Sequence, residues 1–121
     1  MKMTKKQLWI EWIKALKTKV TPNGKKLRKA KARLSRSNGN CCLGVLCQLS
    51  EEFKLGLEEP TWRKAYYVNH RENERLAGFI GIDSDSAEGI ARQNDEEPGW
   101  PINYLIEQVA PKHLRKTLRE I

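Results

Sequence analysis

The sequence predicts an α+β domain, mostly helical, and three observations carry that expectation. Residues 5–20 place apolar side chains, two of them tryptophans, at helical spacing. Residues 40–49 form the one long uncharged run in a chain otherwise rich in charge, and all three cysteines lie inside it. Between these two stretches, residues 29–35 alternate cationic or polar with apolar side chains at a period of two. A chain of 121 residues reads as one domain, 1–121. It is long enough to bury roughly two thirds of its unfolded surface without a metal or a disulfide.

Taken in order, Thr4 caps a first helix that runs to about Lys19. Trp9, Trp12, Ile13, Leu16 and Val20 share its inner face, while Gln7, Glu11, Lys14 and Thr18 face away. Two tryptophans on an inner face are core rather than a stacking platform for a ligand. Thr21-Pro22-Asn23-Gly24 stops the helix, because proline restricts the residue before it and Asn-Gly supplies turn geometry. In residues 25–36, Ala30, Ala32 and Leu34 alternate with Lys29, Lys31, Arg33 and Ser35, which predicts a short half-buried strand with a wholly basic face. A basic helix is the alternative, since Ala, Lys and Arg all favour helix. Ser37-Asn38-Gly39-Asn40 reads as a tight turn, so a small basic hairpin feeds the cysteine run.

The run itself predicts a buried helix starting near Cys42, with Leu43, Leu46, Cys47 and Leu49 giving it apolar atoms on nearly every face. A central strand satisfies the same few residues, because periodicity does not arbitrate over so short a run. It is too short to cross a bilayer, which takes about 20 apolar residues. After Gly56 come an irregular section at Pro60-Thr61-Trp62 and a strand candidate at Ala65-Tyr66-Tyr67-Val68. One or two helical turns over 72–79 end at Gly81. Asp85 and Glu88 have capping-box spacing for a helix through Ala87, Ile90 and Ala91. Residues 94–99 read as a polar break, and Pro101 opens a helix with Ile102, Leu105, Ile106 and Val109 on one face. Pro111 ends it, and Leu114, Leu118 and Ile121 mark a last short helix with Lys112, Arg115, Lys116 and Arg119 outside.

Charge is distributed unevenly. Residues 1–40 hold thirteen Lys or Arg against the single acid Glu11, a net of +12, whereas the rest hold ten cations against fourteen acids, a net of −4. Like charge gathered in one segment costs self-repulsion, so it points to an acidic partner: nucleic acid, a nucleotide or an acidic protein face. Lys5, Lys6, Glu11 and Lys14 interrupt any signal-peptide core, and three cysteines in an apolar run fit reduced, buried thiols, so the expected location is the cytosol.

Three blocks resemble, in order, a family of small bacteriophage-encoded proteins: Trp12-Ile13-Lys14-Ala15-Leu16, then Cys41-Cys42-Leu43-Gly44-Val45-Leu46-Cys47, then Arg92-Gln93-Asn94-Asp95 ahead of Trp100-Pro101-Ile102 and Leu105-Ile106. The middle block is the specific one. Two departures stand out: Gln48 occupies a position where the pattern has an acid, and the segment after the first helix is far more basic here. The resemblance implies a phage accessory protein of the infected cell, one that blunts host defence or redirects host machinery. It implies no particular chemistry.

The candidate chemistry is thin beside that. A cysteine nucleophile at Cys41 or Cys42 would need a pKa lowered by a helix N-terminus and a base, His70 or His113, oriented by Asn94 or Asp95. The plainer reading is three inert cysteines filling a helix interface. Adjacent cysteines followed by another five residues later lack zinc-site spacing, and no glycine-rich phosphate loop is present, so neither metal nor cofactor is expected. The expected partner-binding residues are Lys25, Lys26, Arg28, Lys29, Lys31, Arg33 and Arg36, meeting an acidic partner and not a membrane. Lys112, His113, Arg115, Lys116 and Arg119 on the last helix could imitate a helix-turn-helix and form a secondary patch. Trp, Tyr and Phe are absent from residues 13–52, so the basic segment alone offers phosphates no base-stacking neighbour.

Overall fold

The computed structural model describes residues 3–31, 34–36, 39–57, 62–64 and 74–121, with Arg36 described by its backbone alone. Among these the chain is mostly helical. The N-terminal helix α1, Lys5–Thr18, opens on a capping box in which the Thr4 hydroxyl accepts from the Gln7 N–H and the Gln7 side chain accepts from the Thr4 N–H. Leu8, Trp9, Trp12, Ile13, Ala15 and Leu16 are buried, the face its periodicity predicts. The two tryptophan rings lie 5.0 Å apart, and their indole N–H groups donate to Ile80 O and Cys42 O, so these core residues leave no polar atom stranded. Val20 lies beyond the helix and is half-buried, forming an isolated bridge with Lys26.

The turn at residues 21–24 forms as its composition demands. Gly24 takes φ +87 and its N–H donates to Thr21 O at 2.8 Å. The strand predicted over 25–36 is not continuous. Among the described residues, regular pairing is limited to β1, Ser35–Arg36, against β2, Gly39–Asn40, antiparallel, with Ser35 opposite Asn40. Among the described residues of this segment, Leu27, Ala30 and Leu34 are buried. The Leu27 N–H donates to Lys19 O at 2.8 Å, while Asn40 donates to Arg28 O and accepts from the Ala30 N–H, both at 2.9 Å. Gly39 and Asn40 are therefore ladder residues rather than turn residues, and Ala32, Arg33, Ser37 and Asn38 lie outside the described residues.

The cysteine run is helix α2, Cys42–Glu52, and not a strand; every residue from Cys42 to Ser50 is buried. It forms the centre of the molecule, packed by α1, by the later helix α4 (Ser84–Glu96) and by the single 3₁₀ turn Trp62–Lys64. Gly44 permits that packing. A Cβ there would overlap the backbone carbonyl of Leu34, so the basic segment crosses α2 at a distance only glycine allows.

Beyond α2, helix α3 spans Glu74–Ile80, overlapping the turns predicted over 72–79, while the strand candidate at 65–68 lies outside the described residues. Two boundaries of α4 differ from expectation. Its cap is Asp83, which accepts from the Ser86 N–H at 2.8 Å, so Asp85 is a first-turn residue. Its C-terminal end runs through the predicted polar break as far as Glu96, because Asn94 is fully buried on its inner face. Asn94 Oδ1 accepts from the Cys42 N–H at 3.1 Å and its Nδ2 donates to Ala30 O at 2.9 Å, so one amide fastens α4 to both α2 and the basic segment. The helix opened by Pro101 begins as α5, Ile102–Tyr104, and continues as a π turn, Leu105–Val109, closed by Ala110 N–H to Leu105 O. Leu105 and Ile106 are buried; Ile102 and Val109 only partly. Last comes α6, Lys112–Arg119, whose Leu114 and Leu118 reach the core, while Ile121, expected inside, is exposed.

Candidate anion-binding groove

The cysteines are core. Cys41 caps α2, its sulfur accepting from the Gly44 N–H at 3.4 Å, and no disulfide joins any of the three. Burial pushes the Cys41 thiol up to about 11 and the Cys42 thiol also well up, so desolvation outweighs the helix N-terminus that would stabilise a thiolate. Asn94, the expected orienter of a base, spends its amide on backbone groups instead. His113 is exposed on α6, and His70 lies outside the described residues. Among the described residues, no group of three His, Cys, Asp or Glu side chains is placed to hold a metal ion. Nor is any helix among them long and apolar enough to cross a membrane.

The basic segment divides into two parts. Lys25, Lys26, Arg28 and Lys31 are exposed. Of these, Lys25 reaches across to Gln48, which donates in turn to Glu52, so the Gln48 amide links a cation to a carboxylate. Lys29 is half-buried: its Nζ donates to the backbone carbonyl of Glu97 at the end of α4. Burial holds the Lys29 ammonium below the usual lysine range, and Lys31 adds to that, against opposing pulls from Asp95 and Glu97. Arg33 and the Arg36 side chain are outside the described residues.

Arg28 and Lys29 border a groove of about 530 Å³ that no reading of the segment alone foresees. Its other walls come from the end of α1 (Leu16, Lys17, Lys19), from Leu27, and from Pro98, Gly99, Trp100 and Ile102. Among the described residues, four cations and one tryptophan meet there over an apolar floor, and no carboxylate side chain lines it. Trp100 is half-buried, with its indole N–H donating to Asn40 O at 3.2 Å. Lys17 is partly committed, since its Nζ donates to Ile121 O at 2.9 Å. Lys19 takes a left-handed backbone, φ 60, as the residue that closes α1. The missing aromatic of the basic segment is supplied by Trp100, 60 residues beyond Asn40. Its one local signal is a large indole following a polar Glu-Glu-Pro-Gly stretch.

The secondary patch on α6 is only partly available. Arg119 forms a two-bond pair with Glu107 at 2.6 Å, and Arg115 Nε donates to Ala110 O at 3.1 Å. Lys112, His113 and Lys116 remain exposed. No family model, curated protein or solved structure matches this chain.

Proposed function

We propose that this protein works by binding rather than by catalysis, engaging an anionic partner through its basic segment and the groove beside it. The observation that carries the reading is the meeting of Lys19, Arg28 and Lys29 with Trp100 on a concave surface that, among the described residues, no acidic side chain lines. Burial that disfavours the thiolates of Cys41 and Cys42 speaks against a cysteine enzyme. On the family resemblance, the setting is the cytoplasm of a phage-infected cell, and the role is to blunt host defence or redirect host machinery. The β1–β2 pair is then the described part of a small basic hairpin that makes the architecture α+β. A DNA- or RNA-binding regulator using α6 as well is the weaker reading, because Arg115 and Arg119 are already turned onto the protein's own Ala110 and Glu107.

The test is a titration of the purified chain with duplex DNA, single-stranded RNA, inorganic polyphosphate and an acidic polypeptide over a range of salt. At least one should bind, with affinity falling as salt rises, by a logarithmic slope of about −0.9 per phosphate contact on duplex DNA. Replacing Lys26, Arg28 and Lys31 with Gln should weaken that ligand by ten-fold or more. A triple variant that binds every anion as the parent does would reduce the basic segment to a solubility feature.

A further inference from the structure

We propose that the groove is a nucleoside-phosphate site, with the base stacked on Trp100 and the phosphate held among Lys19, Arg28 and Lys29. This deepens the anion-binding reading and rests on it. Two halves of the groove ask for two halves of a ligand. The floor made by Leu16, Leu27 and Ile102 favours an apolar, flat group, while the cations at its edge favour a compact anion. Inorganic phosphate would leave the floor unused, and a neutral aromatic would leave the cations unpaired. A volume of about 530 Å³ suits a single nucleotide and is too confined for a folded protein face.

The spacing between the two halves is fixed in advance by one residue. Asn40 O accepts the Trp100 indole N–H at 3.2 Å, and the Asn40 N–H donates to Arg28 O at 2.9 Å. The stacking platform and the Arg28 backbone therefore hang from the two backbone groups of the same residue. Ordering them costs nothing further when a ligand arrives. Because its N–H is already spent, Trp100 offers only its ring, which accepts any base by stacking. Lys29 reaches the edge with its ammonium steadied on the Glu97 carbonyl, and a phosphate there would offset the desolvation it already carries. The same chemistry is presented by a free nucleotide and by the phosphorylated end of a single strand.

Tryptophan fluorescence isolates the site. Trp9, Trp12 and Trp62 are at most 1% exposed, so a collisional or stacking quench reports Trp100. A nucleoside monophosphate should quench saturably. Ribose 5-phosphate and the bare nucleoside should each bind about ten-fold or more weakly, since each lacks one half of the ligand. Trp100→Leu should lose the quench, Trp100→Phe should keep affinity within a few-fold by isothermal titration, and Arg28→Gln should weaken binding about ten-fold. Competition separates the sources. Displacement by a 5′-phosphorylated oligonucleotide and not by its unphosphorylated twin indicates a strand end, and resistance to both indicates a free nucleotide; either upholds the site. If ribose 5-phosphate or an acidic peptide binds as tightly as the nucleotide, the inference is overturned while anion binding stands. If nucleotide, nucleic acid, polyphosphate and acidic polypeptide all fail to bind, both readings fall together.

Discussion

Cys41 does the work usually given to serine, accepting an N–H at the start of a helix while almost wholly out of water. Its raised pKa has a consequence for stability. The folded thiol keeps its proton up to about pH 11, whereas an ordinary thiol releases it near pH 9.0. Between those values the folded state binds more protons than the unfolded one, so stability must fall as pH rises through that window. A shift of this size corresponds to roughly 2–3 kcal/mol, and Cys42, shifted in the same direction, adds to it. Cys41→Ser keeps the cap and removes the titration. Urea unfolding should find the two proteins within about 1 kcal/mol at neutral pH and the serine variant ahead at about pH 10. A constant difference at both pH values would exclude Cys41 as the source. Asn94 is the opposite kind of residue, one that no conservative change replaces. Truncation to Ala would leave the Cys42 N–H and the Ala30 carbonyl without partners in a dry interior, and should cost about 2–4 kcal/mol by the same measurement.

At the scale of the element, two helices close on a lysine in the left-handed region: Lys19 at φ 60 after α1 and Lys54 at φ 55 after α2. Glycine takes that conformation without the Cβ penalty of about 1–2 kcal/mol. Lys54→Gly and Lys19→Gly should therefore each raise the unfolding free energy, by roughly 0.5–1 kcal/mol once glycine's greater unfolded-state freedom is subtracted. Only Lys19 lines the groove, so only Lys19→Gly should also weaken anion binding. Equal binding by both variants would remove Lys19 from the site. Helices α1, α2 and α6 were legible in the sequence because caps, breakers and apolar spacing act within a few residues of each other. The π turn was not, because moving the closing bond from i+4 to i+5 is decided by where Ala110 can pack, and the apolar positions read the same either way. Over residues 25–31 no regular strand forms, for a related reason. Alternation specifies a strand only where a neighbouring strand runs alongside, and here β2 is two residues long and pairs with Ser35–Arg36, leaving Arg28 and Ala30 to bond with Asn40 alone.

For the whole molecule, the charge imbalance of the first 40 residues was visible, but its setting was not. The groove joins the end of α1, residues 27–29 and residues 98–102, and no local pattern connects stretches so far apart. Nor did the sequence reveal that the acidic end of α4 folds back towards the basic segment, where Asp95 and Glu97 both act on Lys29. That proximity makes the basic region less positive than a count of its lysines implies, and the effect can be measured. Glu97 is exposed, and Lys29 is held by its backbone carbonyl rather than its carboxylate, so Glu97→Gln removes the charge and leaves the tether. Stability should stay within about 0.5 kcal/mol of the parent, as for most exposed substitutions. Anion affinity should rise by roughly two- to five-fold at low salt, the scale of one partly screened surface charge. That gain should vanish at about 1 M salt, where the Debye length shrinks to about 3 Å. A gain that persists at high salt would mean the substitution had reshaped the groove rather than its field. No gain at any salt would mean that the Glu97 carboxylate is already screened from the anion, and Arg28 and Lys29 would then carry the electrostatics alone.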